Sequence, residues 1–169
     1  RDDKEFEVDL TKEKITLDSV TSEIIERENK KIGYIYIGIF ANNTYFQFKD
    51  QLDLLKKKKI DALIIDVRDN TGGHLTSVEN IISLFLNKNK VIYQIDDKGS
   101  ISKYYSTGNK NVKYKIAVLI NGISASASEI LAGALQDTDR AVIMGQRTYG
   151  KGLVQGTRHV GYNGYLKYT

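Results

Sequence analysis

Three short segments carry side chains that could together perform acyl transfer. The first is Asn121-Gly122-Ile123-Ser124-Ala125-Ser126-Ala127-Ser128-Glu129, where an apolar run passes through small residues into a helical pattern. Small side chains let a substrate approach the backbone closely. A serine at such a turn has its hydroxyl beside the free N–H groups of a helix start, where negative charge is stabilised. The same residues also read as a capping box, with Ser126 as N-cap and Glu129 at N3. The second segment is Tyr149-Gly150-Lys151-Gly152, a single lysine between glycines just after an apolar run. Alone, that lysine is a solvated turn residue. Desolvated beside Ser126, it becomes a general base, the role lysine takes in Ser–Lys variants of the catalytic triad. The third is Asp66-Val67-Arg68-Asp69-Asn70-Thr71-Gly72-Gly73. Its paired glycines can turn backbone N–H groups toward a substrate, as an oxyanion hole requires. They also suit a plain strand-to-helix turn at positive φ, and Asp66 and Arg68 can simply pair with each other.

Composition narrows the chemistry. Cysteine is absent, which excludes disulfides, thiolate metal sites and a cysteine nucleophile. The two histidines, His74 and His159, lie far apart and neither sits in a motif. A histidine-rich metal site cannot be built from them, and lysine is left as the base that a serine nucleophile needs. The 169 residues, 41% of them hydrophobic, suit one compact domain. The formal charge of +4 is uneven: the first 31 residues hold ten acids and seven bases, so the remainder carries +7. Lys56 to Lys59 is the densest basic run, and it reads as a helix end whose lysines meet the negative end of the dipole. A nucleic-acid binder using the basic portion would lack aromatic–basic interleaving and a recognised motif. No stretch approaches the roughly 18 apolar residues of a membrane span.

These segments need elements to position them. Glu5 to Thr11 alternates between apolar and acidic residues, as a half-buried strand does. Ser22 to Glu26 and the apolar run Ile32 to Phe40 form a hairpin through Glu28-Asn29-Lys30-Lys31. A helix follows, capped within Asn42-Asn43-Thr44 and bearing Phe48, Leu52 and Leu55. Ile60 to Val67 reads as a strand buried on both faces. Leu75, Val78, Ile81, Ile82 and Phe85 trace a second helix, and Lys90 to Ile95 pairs with Ile101 to Ser106 around Asp97-Lys98-Gly99. Ile116 to Ile120 is a buried strand and Ala127 to Leu135 a third helix. Ala141 to Gly145, Leu153 to Val160 and Tyr165 to Tyr168 complete the strands. The result is an α/β fold: a mostly parallel sheet with flanking helices, preceded by an N-terminal β-hairpin. Functional loops in such a sheet lie at the carboxyl ends of its strands, where two of the three segments stand.

In this order and spacing, the segments resemble the C-terminal processing peptidases, also called tail-specific proteases. The resemblance rests on Ser124 to Ile130, on Gly150-Lys151-Gly152, on Asp66 to Gly73, and on Ala132-Gly133-Ala134-Leu135-Gln136-Asp137. It implies a ClpP/crotonase-like core and a serine endopeptidase with a Ser–Lys dyad. Ser126 corresponds to the nucleophile, Lys151 to the base and Gln155 to a glutamine that orients the lysine. Asp137 corresponds to an aspartate with a possible supporting role. The amide of Ala127 and one from Gly72 or Gly73 correspond to the oxyanion hole. Tyr149 stands where phenylalanine is common, and Thr71 replaces a frequent proline. The resemblance further implies no cofactor and no metal. It implies protein or peptide substrates with apolar C-termini, membrane association only through segments outside this sequence, and an exported protein of the periplasm, cell envelope or extracellular side. Residues 1–15 resemble the last strand and exit linker of a PDZ domain, and residues 16–169 a protease core that the family continues with further strands. Some proteins on this fold bind apolar ligands or peptides without cleaving them, which is the competing reading.

Overall fold

The computed structural model describes residues 18–108, 114–162 and 164–169, together with five positions nearer the start, 5, 7–9 and 11. The strand expected over Glu5 to Thr11 does not form at the positions described there, 5, 7–9 and 11, none of which lies in a strand; the PDZ remnant expected over residues 1–15 lies largely outside the described residues.

The first strand, β1 (Val20–Arg27), turns directly into β2 (Lys30–Ile37). Glu28 and Asn29 both take positive φ, 50° and 57°, so the connection is a two-residue turn that matches the twist of the strands. Helix α1 (Thr44–Lys57) leads to β3 (Ala62–Asp66), and α2 (Leu75–Ser83) leads to the hairpin of β4 (Val91–Asp97) and β5 (Ser100–Tyr105). After these come β6 (Lys115–Ile120), α3 (Ala127–Asp137), β7 (Ala141–Gly145) and a second hairpin, β8 (Gly156–Gly161) with β9 (Gly164–Tyr168). The lysine run ends α1, with Lys56 and Lys57 in its last turn and Lys56 3.4 Å from Asp53.

Among the described residues, five strands form the main sheet in the order β1-β2-β3-β6-β7. Only the β1–β2 pair is antiparallel; β2–β3, β3–β6 and β6–β7 run parallel. The register aligns Ile35, Ile65, Val118 and Ile143 across one face. The core lies there: Ile35, Ile37, Leu63, Ile65, Ile116 and Val118 join Phe48 and Leu52 of α1, Val78, Ile81 and Ile82 of α2, and Leu131 and Leu135 of α3.

Two sequence expectations need correction. The run Ile60 to Val67 was expected to be buried on both faces, yet only Leu63 and Ile65 of β3 are buried hydrophobics, and Ala62 and Ile64 stay half-buried. The opposite face of the sheet, with Tyr34, Ile64, Ala117 and Val142 in register, has no helix contribution from the core cluster, and Val142 is 66% exposed. The strand expected to begin at Leu153 begins at Gly156 instead, because pairing with β9 begins only there.

Candidate active site

Parallel strands deliver the ends of β2, β3, β6 and β7 to one edge of the sheet, and hydrogen bonds between backbone and short polar side chains bind the four following loops into one body. The hub is Asn70, which is fully buried. Its Nδ2 donates to the Ile37 carbonyl at 2.8 Å, and its Oδ1 accepts from the Gly72 N–H at 2.8 Å. Its own carbonyl accepts from the Ala125 N–H at 3.1 Å and from the Ser128 hydroxyl at 2.9 Å. One asparagine therefore joins the end of β2, the glycine pair and the start of α3. Beside it, Ser124 Oγ donates to the Val67 carbonyl at 2.7 Å. Asp69 and Asn121 exchange two bonds, N–H to Oδ1 at 3.0 Å and Nδ2 to Oδ1 at 2.8 Å.

Replacing Asn70 with Ala would strand the buried Ile37 carbonyl and leave the Gly72 amide without its acceptor. Each unsatisfied buried group costs about 1–3 kcal/mol. We expect Asn70→Ala to destabilise the fold by about 3 kcal/mol, read as a shifted midpoint in chemical denaturation. A midpoint unchanged from the parent would contradict the hub role.

The glycine pair is dictated by contact as well as by conformation. Gly72 has φ 101°, and a Cβ there would lie 2.7 Å from the Ala125 carbonyl oxygen and 2.8 Å from Ser126 Cβ. Gly73 has φ 142°, and a Cβ would drive into the Phe40 carbonyl, to which the His74 N–H also donates, at 2.6 Å. The loop after β3 is thereby held against the turn before α3.

At that turn Ser126 takes φ 56° and ψ −114°, a strained conformation for a residue with a side chain. Its hydroxyl stands at the start of α3, half-buried. The Ser126 N–H donates to Glu129 Oε2 at 2.8 Å, which is the part of the capping box that the sequence announces. The same carboxylate does more. Glu129 Oε1 accepts from the Gly150 N–H at 2.6 Å and Oε2 from the Lys151 N–H at 2.9 Å. With the Tyr149 N–H bonded to the Ser124 carbonyl at 3.0 Å, the loop after β7 is fastened along the Ser126 turn. Burial pushes the Glu129 carboxyl up, but donation from Thr148 and from the Ser126, Lys151 and Gly150 amides outweighs it, and the group is held below the usual carboxylate range.

A cleft of about 960 Å³ opens above this body. Ser126, Lys151, Gln155, Asp137 and Gly73 all line it, as does His74, which sits in no sequence motif. Gly72 and Ala127 are buried beneath it. Lys151 is exposed on the loop, and Gln155 Nε2 donates to Thr169 Oγ1 at 3.4 Å. His159 is not among the residues lining the cleft and packs edge-on against Tyr165. Asp66 and Arg68 do pair with each other: Arg68 Nε lies 3.0 Å from both carboxylate oxygens, and Tyr34 donates to Oδ2 at 2.6 Å. Two residues gained weight only in the structure. Asn70 stood in the sequence as a polar residue between a buried strand and a glycine pair, and Glu129 as a helix cap.

Comparison with known proteins agrees with this architecture. Residues 31–169 match peptidase family S41. The carboxyl-terminal-processing protease of a Picosynechococcus species is 36% identical over 148 residues, which cover 88% of this chain and 36% of the relative. The carboxy-terminal processing protease CtpB of Bacillus subtilis is 36% identical over 167 residues, covering 98% of this chain and 35% of its own. Among solved structures, the photosystem II D1 C-terminal processing protease superposes with a TM-score of 0.77 at 30% identity, over 86% of this chain and 40% of that one. The chain thus spans about a third of the length of the curated relatives it matches. In sequence and in fold alike, the chain belongs to peptidase family S41, alongside the carboxyl-terminal-processing proteases.

Proposed function

We propose that this chain is the catalytic core of a serine endopeptidase in which Ser126 is the nucleophile and Lys151 the general base. The observation that carries the reading is the backbone of Ser126, with φ 56° and ψ −114°. A residue that serves only as an N-cap takes an ordinary extended backbone. Strain of this kind costs on the order of 1–3 kcal/mol and is retained where it aims a side chain. Here it presents the hydroxyl to the cleft at the head of α3.

In the proposed reaction, the Lys151 amine accepts the Ser126 proton while Oγ attacks the scissile carbonyl carbon. The electron pair of the carbonyl moves to its oxygen. Two N–H groups suit that oxyanion. The Gly72 N–H is committed to Asn70 Oδ1, whereas the Gly73 and Ala127 N–H groups have no acceptor among the described residues. Collapse of the tetrahedral intermediate breaks the C–N bond, and protonated Lys151 gives its proton to the leaving amine. Water then attacks the acyl-enzyme by the same route, with Lys151 as its base. Gln155, on the same wall of the cleft, is assigned to orienting the lysine amine, and Asp137 to a supporting role at the far end of α3.

The substrates proposed are proteins or peptides with apolar C-terminal tails, which the cleft walls Ile39, Phe40, Ile92, Ile130 and Leu153 suit. Residues 1–15 would belong to an adjoining PDZ domain and 16–169 to the core, acting outside the cytoplasmic membrane as the family resemblance implies. A fluorophosphonate probe should label the chain at Ser126, located by peptide mass mapping, and Ser126→Ala should remain unlabelled. Labelling at another serine, or none at all, would remove the proposed nucleophile and favour a binding module.

A further inference from the structure

Gly133 sits in the middle of α3, where glycine weakens a helix relative to alanine. Gly72 and Gly73 answer a contact, but Gly133 does not: a Cβ built on it meets nothing within 4 Å among the described residues. The space over it is the cleft. Gly133 lines that cleft with Ser126, Ile130, Ala134 and Asp137, which follow the helical spacing of one face. Among the described residues, neither a turn nor packing accounts for a residue without a side chain at that position. An occupant of the cleft does.

We propose that Gly133 determines substrate specificity, keeping the α3 wall low so that an apolar substrate side chain lies against Ile130, Gly133 and Ala134. The proposal rests on the peptidase reading above and names the chemistry of what it binds. The rest of the enclosure argues for an apolar occupant. Ile92 comes from β4, Phe40 from the end of β2, and Leu153 and Val154 stand on the facing loop. Leu153 is 68% exposed, Val154 45% and Ile39 39%, so apolar surface is left uncovered around the cleft. Seven residues of helix separate Gly133 from Ser126, about 10 Å along the axis. That is about three residues of extended peptide, so the side chain concerned lies away from the scissile bond.

Three measurements on the 169-residue chain test this. Gly133→Ala should raise the thermal midpoint by about 2 °C, since the helix gains and nothing is struck. In a Ser126→Ala background, octapeptides with one Leu or Phe should bind at least tenfold more tightly than an all-alanine octapeptide. Adding Gly133→Val should erase that gain and leave the all-alanine peptide bound as before. Diisopropyl fluorophosphate, too small to reach the α3 wall, should label Ser126 in the Gly133→Val chain at the parental rate. A lower midpoint for Gly133→Ala, a gain that survives Gly133→Val, or no peptide binding at all would overturn the proposal. Absence of Ser126 labelling in the parent, with the peptide preferences intact, would instead sink the peptidase reading and leave an apolar peptide groove.

Discussion

Lys151→Ala should reduce turnover of a peptide substrate by about a thousandfold or more while leaving the fold untouched, because a positioned general base contributes about 10²–10⁴. The side chain is exposed, and among the described residues Lys151 is held by its backbone N–H to Glu129, a bond alanine keeps. Stability should therefore stay within about 0.5 kcal/mol of the parent. Lys151→Arg should not rescue the rate, since a guanidinium cannot give up its proton to act as a base. Steady-state kinetics on the three chains, with circular dichroism and denaturation midpoints as controls, decide the matter. Turnover within tenfold of the parent in Lys151→Ala would exclude lysine as the base and direct attention to His74 across the cleft.

The second large effect is expected at Glu129, whose carboxylate ties the loops together. Glu129→Gln keeps the length of the side chain but turns an NH₂ toward amide donors, so the links to Ser126, Gly150 and Lys151 cannot all survive. Hydrogen bonds to charged groups contribute about 1.5–3 kcal/mol when desolvated, and these are partly solvated, so a loss of about 2 kcal/mol is expected. Activity should fall about a hundredfold, since displacing a catalytic group by even 1 Å costs that much. The pH dependence has a definite sign. The folded-state carboxyl is held below its ordinary value, so its stabilising contribution is fully present above the unfolded value and fades as pH falls below about 4.3. Thermal midpoints measured from pH 7 to pH 3 should show an acid limb in the parent that is shallower in Glu129→Gln. Equal acid limbs in the two chains would mean that the carboxylate does not tie the loops together.

The site was readable from sequence where the cause is local. A run of small residues between a buried strand and a helix marks a turn, and Ser126 stands in it. Paired glycines after a strand mark a backbone that no side chain could follow, and Gly72 and Gly73 bear that out by what a Cβ would strike. Glu129 was half legible: its bond to Ser126 spans three residues, but its bonds to Gly150 and Lys151 span 21 and 22. Periodicity carries no trace of such reach. Asn70 was opaque for the same reason, since its distant partners lie on two other segments, at the end of β2 and at the start of α3. The misjudged face of β3 has another origin. A run such as Ala62-Leu63-Ile64-Ile65 is apolar at every position, so alternation cannot say which side the helices will cover.

The wiring of Asn70 also bears on how the molecule comes into being. Its side chain and carbonyl reach atoms 33 and 58 residues away, and Ser124 reaches Val67 across 57. Contacts of such separation close only after the intervening chain has condensed, because loop entropy must be overcome first. The parallel strands must be in register before the glycine pair can meet the serine turn. Under the proposed function, a nascent or partly collapsed chain therefore has its serine and its lysine but no assembled site. On that reading, the means of hydrolysis would be assembled only once these long-range contacts have closed.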